Sequence, residues 1–509
     1  MSVPKSILGS VLTVAALSMI PMSASAFCGF YVGGAGAEMF ADATQVVLLR
    51  DGTTTVLSMQ NRYDGPAEGF AMVVPVPVVL QEGNVKTLDN QLFNTIDTLT
   101  SPRLVEYWEQ DPCTPQYEYD FAASPQAGNV NNSTNEDPGT VTVEAQFSVG
   151  EYDIVILSTD QGTALDSWLS TNNYSVPPAA APYYQPYVNA GMYFFVAKVD
   201  PTKVAFDANG KAVLSPLRFN YTSPEFSLPI RLGMINSNGQ QDLIVNILAR
   251  NQRYEVANYP NVFVPTNIEV VDAVRNDFAS FYKSLFARTL KENPGSAITE
   301  YSWNAGSCDP CPGPSHCSQK TSETLGGDVI NAGDQGYWDF VITRLHLRYD
   351  KDEVGEDLVF KKADPVVGGR EMRNENGELE EGALPSSQNN FQARYIIRHR
   401  WEGEVLCADP IYEQWGGDPS NPNQWGPAVT PAPGPNTTGD DAFATSGVNA
   451  NRPVEELVRE DIPEIGVVAA VGSKSGGGAC TSTSGTAIPL GLLALGGLMV
   501  FGRIRRRRD

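Results

Sequence analysis

The chain reads as a β-rich α+β protein with mixed or antiparallel sheets, a few short helices and an apolar helix at the C-terminus. Short runs of Val, Ile, Leu, Tyr and Phe recur as far as Val405, most of them bounded by Gly, Pro, Asn or Asp, which is the pattern of strands and turns. Helical spacing of apolar residues shows in only three places before the C-terminal run. Apolar residues make up 42% of the 509, enough to fill a core.

The first hairpin joins Ala43–Leu49 to Thr53–Met59 through Arg50-Asp51-Gly52, where Asp-Gly is a tight-turn signal. Phe70 to Val79 follows. Pro75 and Pro77 lack an amide donor, which confines that run to an edge strand or an extended exit. Leu88, Leu92, Ile96 and Leu99 recur at helical spacing and predict a short amphipathic helix. Asp120 to Gly139 is a loop by its Asn, Pro, Ser and Gly content. Strands resume at Val141–Phe147 and Tyr152–Leu157, and Leu165, Trp168 and Leu169 mark a second helix. Met192–Val199 and Leu243–Ala249 are again strands. The clearest helix runs from about Asp272 to Asn293, with Val274, Phe278, Phe281, Leu285 and Thr289 in one stripe as core packing. Asn293-Pro294-Gly295 stops it. Tyr337–Tyr349 alternates as a strand, an acidic turn spans Asp350 to Asp357, and Leu358–Lys361 returns. Tyr395–Val405 is a further strand, and no internal repeat has a fixed period.

The two ends carry an address. Lys5, the apolar stretch Ile7–Ile20 and the small residues Ala24 and Ala26 make a secretory signal, cut after Ala26 to leave Phe27 first. At the other end a Ser/Gly-rich spacer, Ser473–Ala479, precedes Cys480, the apolar run Ile488–Phe501 and five arginines from Arg503 to Arg508. The arginines keep the tail inside and the body outside the cytoplasm. The order of parts resembles C-terminal sorting signals of the myxobacterial type, which implies cutting near Cys480 by envelope processing machinery, with the Cys as an anchor. The predicted organisation is a signal peptide over 1–26, a β-rich exported body over 27–407, a Pro/Gly/Asn-rich stalk or linker over 408–479, and a sorting signal with a transmembrane helix over 480–509.

Charge narrows the partners. Without residues 1–26 and 481–509, 29 basic and 58 acidic residues remain, a net charge of −29. A surface that negative repels nucleic acid and anionic lipid. Of seven cysteines, Cys480 belongs to the tail, and Cys28, Cys113, Cys308, Cys311, Cys317 and Cys407 are an even set for disulfides in an oxidising compartment. Their pairing stays open.

FCGFYVGG at Phe27–Gly34, DATQVVLLRDGTTTVLSMQNRYDGP at Asp42–Pro66, FAMVVPVP at Phe70–Pro77, YFFVAKVD at Tyr193–Asp200 and CDPC at Cys308–Cys311 occur in that order. Together they resemble an exported bacterial family catalogued as a domain of unknown function, number 2330, over about Phe27 to Gly369. The resemblance implies an envelope location. It brings no established activity and no catalytic residues.

Few constellations could carry chemistry. Cys308, Cys311, His316 and Cys317 number the four ligands of a tetrahedral zinc site, against which stand the adjacency of His316 to Cys317 and the pull toward disulfides. Pro310, Pro312 and Pro314 favour a loop over the helix start that activates a redox Cys-x-x-Cys. Asp350, Asp352 and Glu356 crowd one acidic turn with oxygen ligands suited to calcium, at a spacing unlike the EF-hand. Trp401, Tyr412, Trp415 and Trp425 could stack on sugars or pack in loops. No Gly-x-Ser-x-Gly, His-Glu-x-x-His or Gly-x-x-x-x-Gly-Lys motif occurs, and His346 and His399 fall in strand-like runs. The sequence thus predicts no cofactor and a non-catalytic structural or binding ectodomain at the cell envelope. An envelope enzyme with a Cys/His metal site and a calcium-dependent adhesive module are the alternatives.

Overall fold

Alternation of apolar residues over Val46–Leu49 and Val56–Met59 sends successive side chains to opposite faces of a sheet, and the computed structural model buries both faces. It describes residues 30–34, 40–64, 70–113, 142–176, 180–206, 212–236, 240–312, 319–330, 339–350, 355–370, 372–373, 379–421, 426–432 and 452–470. The fold is β-rich, with mixed and antiparallel sheets and a few short helices.

The hairpin Phe40–Asp51 and Thr54–Asp64 turns through Gly52 at φ +56°, a left-handed conformation that glycine adopts without strain. It lies inside an eleven-stranded sheet. Strand Gln241–Arg250 runs parallel to Phe40–Asp51, with Val245 opposite Val46. Strand Phe340–Tyr349 lies antiparallel on its other side, followed by Ala297–Asn304. One face of this sheet gives Val46, Leu57, Val245 and Leu345 to an apolar core shared with Met72, Val74, Ile156 and Phe195 of a six-stranded sheet. The opposite face carries Val47, Val56, Leu248 and Ile342 beneath Phe93, Ile96 and Leu99 of helix Asn90–Thr100. Asp89 caps that helix by accepting from the Gln91 amide at 2.8 Å.

Several expectations need correction. Ala71–Val76 is an interior strand of the six-stranded sheet, between Phe30–Gly34 and Tyr193–Val199. Pro75 pairs with Phe194 of strand Tyr193–Val199, and the described pairing with Phe30–Gly34 covers Ala71 to Val73. Leu358–Ala363 does not return along Phe340–Tyr349 but pairs with Ser227–Leu228 and Arg253–Val256. The long helix starts at Phe278, capped by Asp277, and residues 272–276 form a separate 3-10 turn. Its predicted stripe of Val274, Phe278, Phe281, Leu285 and Thr289 is buried throughout.

The segment expected as a stalk from 408 is built into the body wherever it is described. Trp415–Gly416 and Ala428–Pro431 pair with strand Arg103–Glu109, which runs parallel to Arg394–His399. Val454, Leu457, Val458, Ile462, Ile465 and Val467 pack against helix Phe278–Glu292. Apolar residues three or four apart suffice to seal a helix flank, and among so many Pro, Gly and Asn residues they leave little compositional trace. The described residues all fall in one compact unit ending at Gly472. The signal peptide with Ala26, the loop Asp120–Gly139, Cys480 and the C-terminal apolar helix lie outside the described residues. Among the described residues no helix is long and apolar enough to cross a membrane.

Candidate functional site

Strand Phe340–Tyr349 turns Leu345 and Leu347 into the core between the sheets, so by alternation Arg344, His346 and Arg348 point to the helix-covered face. The neighbouring strand sets Asp242 opposite Arg348 and Asn246 opposite Arg344. On the other side the register slips between Thr299 and Tyr301, which leaves Glu300 as the extra residue of a bulge. Such a bulge re-aims its side chain, and the Glu300 carboxylate lands between Arg344 and His346.

The result is a continuous array, buried at Asp97, Glu300, Arg344 and His346 and partly buried at Asp242 and Arg348. Arg344 Nη1 donates to Asp97 Oδ1 at 2.6 Å, and its Nε donates to Glu300 Oε2 at 2.6 Å. His346 Nδ1 lies 2.7 Å from Glu300 Oε1, and its Nε2 lies 3.2 Å from Asp242 Oδ1. Arg348 clasps both oxygens of Asp242, at 2.8 and 3.0 Å. The helix above adds Tyr282, whose hydroxyl donates to Glu300 Oε1 at 2.5 Å, and Phe286, whose ring stacks on His346 at 4.0 Å. Tyr282 and Phe286 are four residues apart and share one helix face. Glu300 is 0% and His346 1% exposed.

Three cations, Arg344, His346 and Arg348, thus meet three carboxylates, Asp97, Glu300 and Asp242. Burial alone would raise the Glu300 carboxyl, but His346 and Arg344 outweigh it and hold Glu300 at about 2. Asp242 sits at about 2 in the same way, burial being outweighed by His346 and Arg348. Burial would lower His346, yet Glu300 and Asp242 raise it above the ordinary imidazole value. Burial pushes the Asp97 carboxyl upward despite Arg344, so Asp97 is the acid of the array that takes up a proton first as pH falls. A carboxylate faces each ring nitrogen of His346, an arrangement that favours the protonated ring, in which both nitrogens donate and no lone pair is free. Chemically the array is an electrostatic tie between two helices and three strands.

The cysteine loop is held from below by body residues. Cys308 and Cys311 are joined in a disulfide, with Cα atoms 5.2 Å apart. Arg103, fully buried, donates to Pro310 O at 2.8 Å, and Gln392 Nε2 donates to Asp309 O at 2.5 Å. Bonded to each other, these two sulfurs offer no thiolate to zinc, and His316 and Cys317 lie outside the described residues, as does Cys28. A second disulfide joins Cys113 to Cys407 across a sequence separation of 294. In the acidic turn Asp352 is outside the described residues, and the Glu356 carboxylate lies 3.5 Å from Asn258 Nδ2. Among the described residues no three His, Cys, Asp or Glu side chains stand together as a metal site. Trp415 lies beneath the guanidinium groups of Arg398 and Arg400, Trp401 donates its amide to Glu109, Tyr412 is exposed, and Trp425 lies outside the described residues.

Sequence reasoning missed Asp97, Asp242, Tyr282, Glu300, Arg344 and Arg348. One signal was available: Arg344, His346 and Arg348 alternate with Leu345 and Leu347 in a run that is otherwise apolar, which marks charges turned toward a covered face.

The family described as "uncharacterized protein conserved in bacteria (DUF2330)" matches residues 22–361, most of this chain. The chain belongs to that family. The matched span ends before strand Arg394–His399, so the pairing partners of Arg103–Glu109 and the segment against helix Phe278–Glu292 lie beyond it. No curated protein matches the chain. A crystal structure of baculovirus P35 is 16% identical and covers 42% of this chain and 66% of that one, with a TM-score of 0.21, a likeness that carries no argument.

Proposed function

We propose that this protein is a non-catalytic, disulfide-stabilised ectodomain, exported and held at the cell envelope, with a structural role or a role in binding a partner. The observation that carries this reading is how the body spends its reactive groups. His346, 1% exposed, lies between the Glu300 and Asp242 carboxylates, and the Cys-x-x-Cys pair is closed on itself. The Cys113–Cys407 bond across 294 positions suits an oxidising compartment. Lys5, Ile7–Ile20 and Ala24 to Ala26 support export, and the order of spacer, Cys480, apolar run Ile488–Phe501 and arginine cluster supports an anchor that is cut and attached at the Cys.

Replacing Cys480 tests the anchor. The Cys480→Ala protein is expected to leave the envelope fraction or to keep its whole tail. Unchanged fractionation together with unchanged mass would remove the sorting reading and leave a plain membrane anchor.

A further inference from the structure

The Cys308–Cys311 loop carries its disulfide near the surface, above a buried positive charge. Both cysteines are half-buried, and Ser307 and Asp309 beside them are exposed. Beneath the loop lies Arg103, 0% exposed. Its guanidinium donates to the carbonyls of Pro310, Leu99 and Ser101 and forms no ion pair among the described residues. Arg394, also buried, stands opposite Arg103 on the neighbouring parallel strand. Two arginines at this depth favour a negative charge close by. The loop is also fastened by its backbone, not by its sulfurs alone. Pro310 O is held by Arg103 at 2.8 Å and Asp309 O by Gln392 Nε2 at 2.5 Å. Those bonds do not depend on the disulfide, so the two cysteines stay close when the sulfurs part. The second disulfide has a different setting: the Asp111 carboxylate accepts from the Cys113 amide at 2.9 Å, which places a negative charge beside it.

We propose that Cys308–Cys311 is a thiol-exchange site that takes two electrons from a dithiol. The thiolate is the form that leaves and re-attacks in such an exchange, and a neighbouring arginine stabilises it. Arg103 thus supplies the positive charge that a helix start supplies in other Cys-x-x-Cys pairs, and the prolines of the loop do not exclude reactivity. One thiolate of the dithiol attacks one sulfur of the pair. The bond between Cys308 and Cys311 breaks, and its electron pair leaves on the other sulfur. The second thiol of the dithiol then loses its proton and attacks the mixed disulfide, which frees the remaining cysteine as a thiolate. The dithiol departs as a disulfide, and the two protons it lost are taken up by the two cysteines. This inference goes beyond the ectodomain reading: the pair is closed in the oxidised protein and opens reversibly toward a dithiol partner.

The test equilibrates the folded full chain with graded ratios of reduced to oxidised dithiothreitol, traps free thiols by alkylation and locates them by peptide mass. Cys308–Cys311 is expected to open at a ratio at least about tenfold below the one that opens Cys113–Cys407, with tryptophan fluorescence unchanged. Asp309→Asn removes an exposed negative charge from the loop and is expected to lower that ratio about threefold, and Asp309→Lys about tenfold. A purely structural disulfide would not respond to the charge at 309. A reduced thioredoxin-type protein lacking its second cysteine identifies the source of the electrons. A trapped mixed disulfide names a protein dithiol, and reduction by dithiothreitol without trapping names a small one. Opening within tenfold of Cys113–Cys407, opening only in denaturant, or a ratio indifferent to Asp309→Lys would each overturn the proposal.

Discussion

At the scale of single residues, Glu300 decides how much of the interior is held together. It receives Arg344, His346 and Tyr282 at once, and only a bulge lets a strand residue reach all three. Glu300→Gln keeps the shape and removes the charge, leaving two buried cations short of a partner. Its cost is expected to be about 3–5 kcal/mol in denaturant unfolding. The same array sets a pH profile. Glu300 and Asp242 ionise in the folded state at about 2, below ordinary carboxyls near 4, so they stabilise the fold fully above that ordinary range and lose their contribution as pH falls toward 2. His346 is shifted upward, so its contribution is full below about 6.5 and disappears as pH rises through its folded value. Melting temperature is expected to be highest between about pH 5 and 6.5 and to drop on both sides, with a flatter acid limb in Glu300→Gln. An acid limb unchanged by that substitution would mean other groups set it. Little of this was legible beforehand. The alternation around His346 is in the sequence, but its partners at 97, 242, 282 and 300 are brought in by three different pairings that no local pattern encodes.

At the scale of elements, local signals were good where one face is buried and poor where long-range pairing rules. The stripe of helix Phe278–Glu292 was readable because its residues recur at helical spacing, and full burial of Phe281 or Leu285 is worth about 1.5–3 kcal/mol each. Its start was placed six residues early because Val274, four before Phe278, continues the stripe back through the separate 3-10 turn. The structure selects Asp277, whose side chain accepts from the Ser280 amide at 3.2 Å. Asp277→Ala is expected to lower stability by about 1 kcal/mol, and Asp272→Ala by much less, both measured by urea unfolding. Equal losses would return the cap to Asp272. Pro75 illustrates the opposite case. Its ring argues for an edge, yet the run is paired on both sides, by Phe30–Val32 and by Tyr193–Lys198, and which strands flank a run is invisible in the run itself. Residues 454–467 were hidden for a related reason: six apolar side chains scattered among acids and prolines read as linker until the helix flank they cover is known.

At the scale of the whole molecule, the Cys113–Cys407 disulfide and strand Ala428–Pro431 fasten the C-terminal third to strand Arg103–Glu109, so the body extends well past the span the family match covers. Such a cross-link limits the unfolded chain over a very long loop and contributes about 2–5 kcal/mol where it forms. Such bonds form and persist mainly in oxidising compartments, which agrees with the proposed address. The central claim is therefore an exported, oxidised, processed ectodomain. Intact mass of the protein recovered from envelope fractions, taken with and without reduction, tests it most directly. The account predicts a chain beginning at Phe27 that gains two hydrogens on reduction for each of the Cys113–Cys407 and Cys308–Cys311 bonds. A chain that still begins at Met1 and gains no mass on reduction would contradict it.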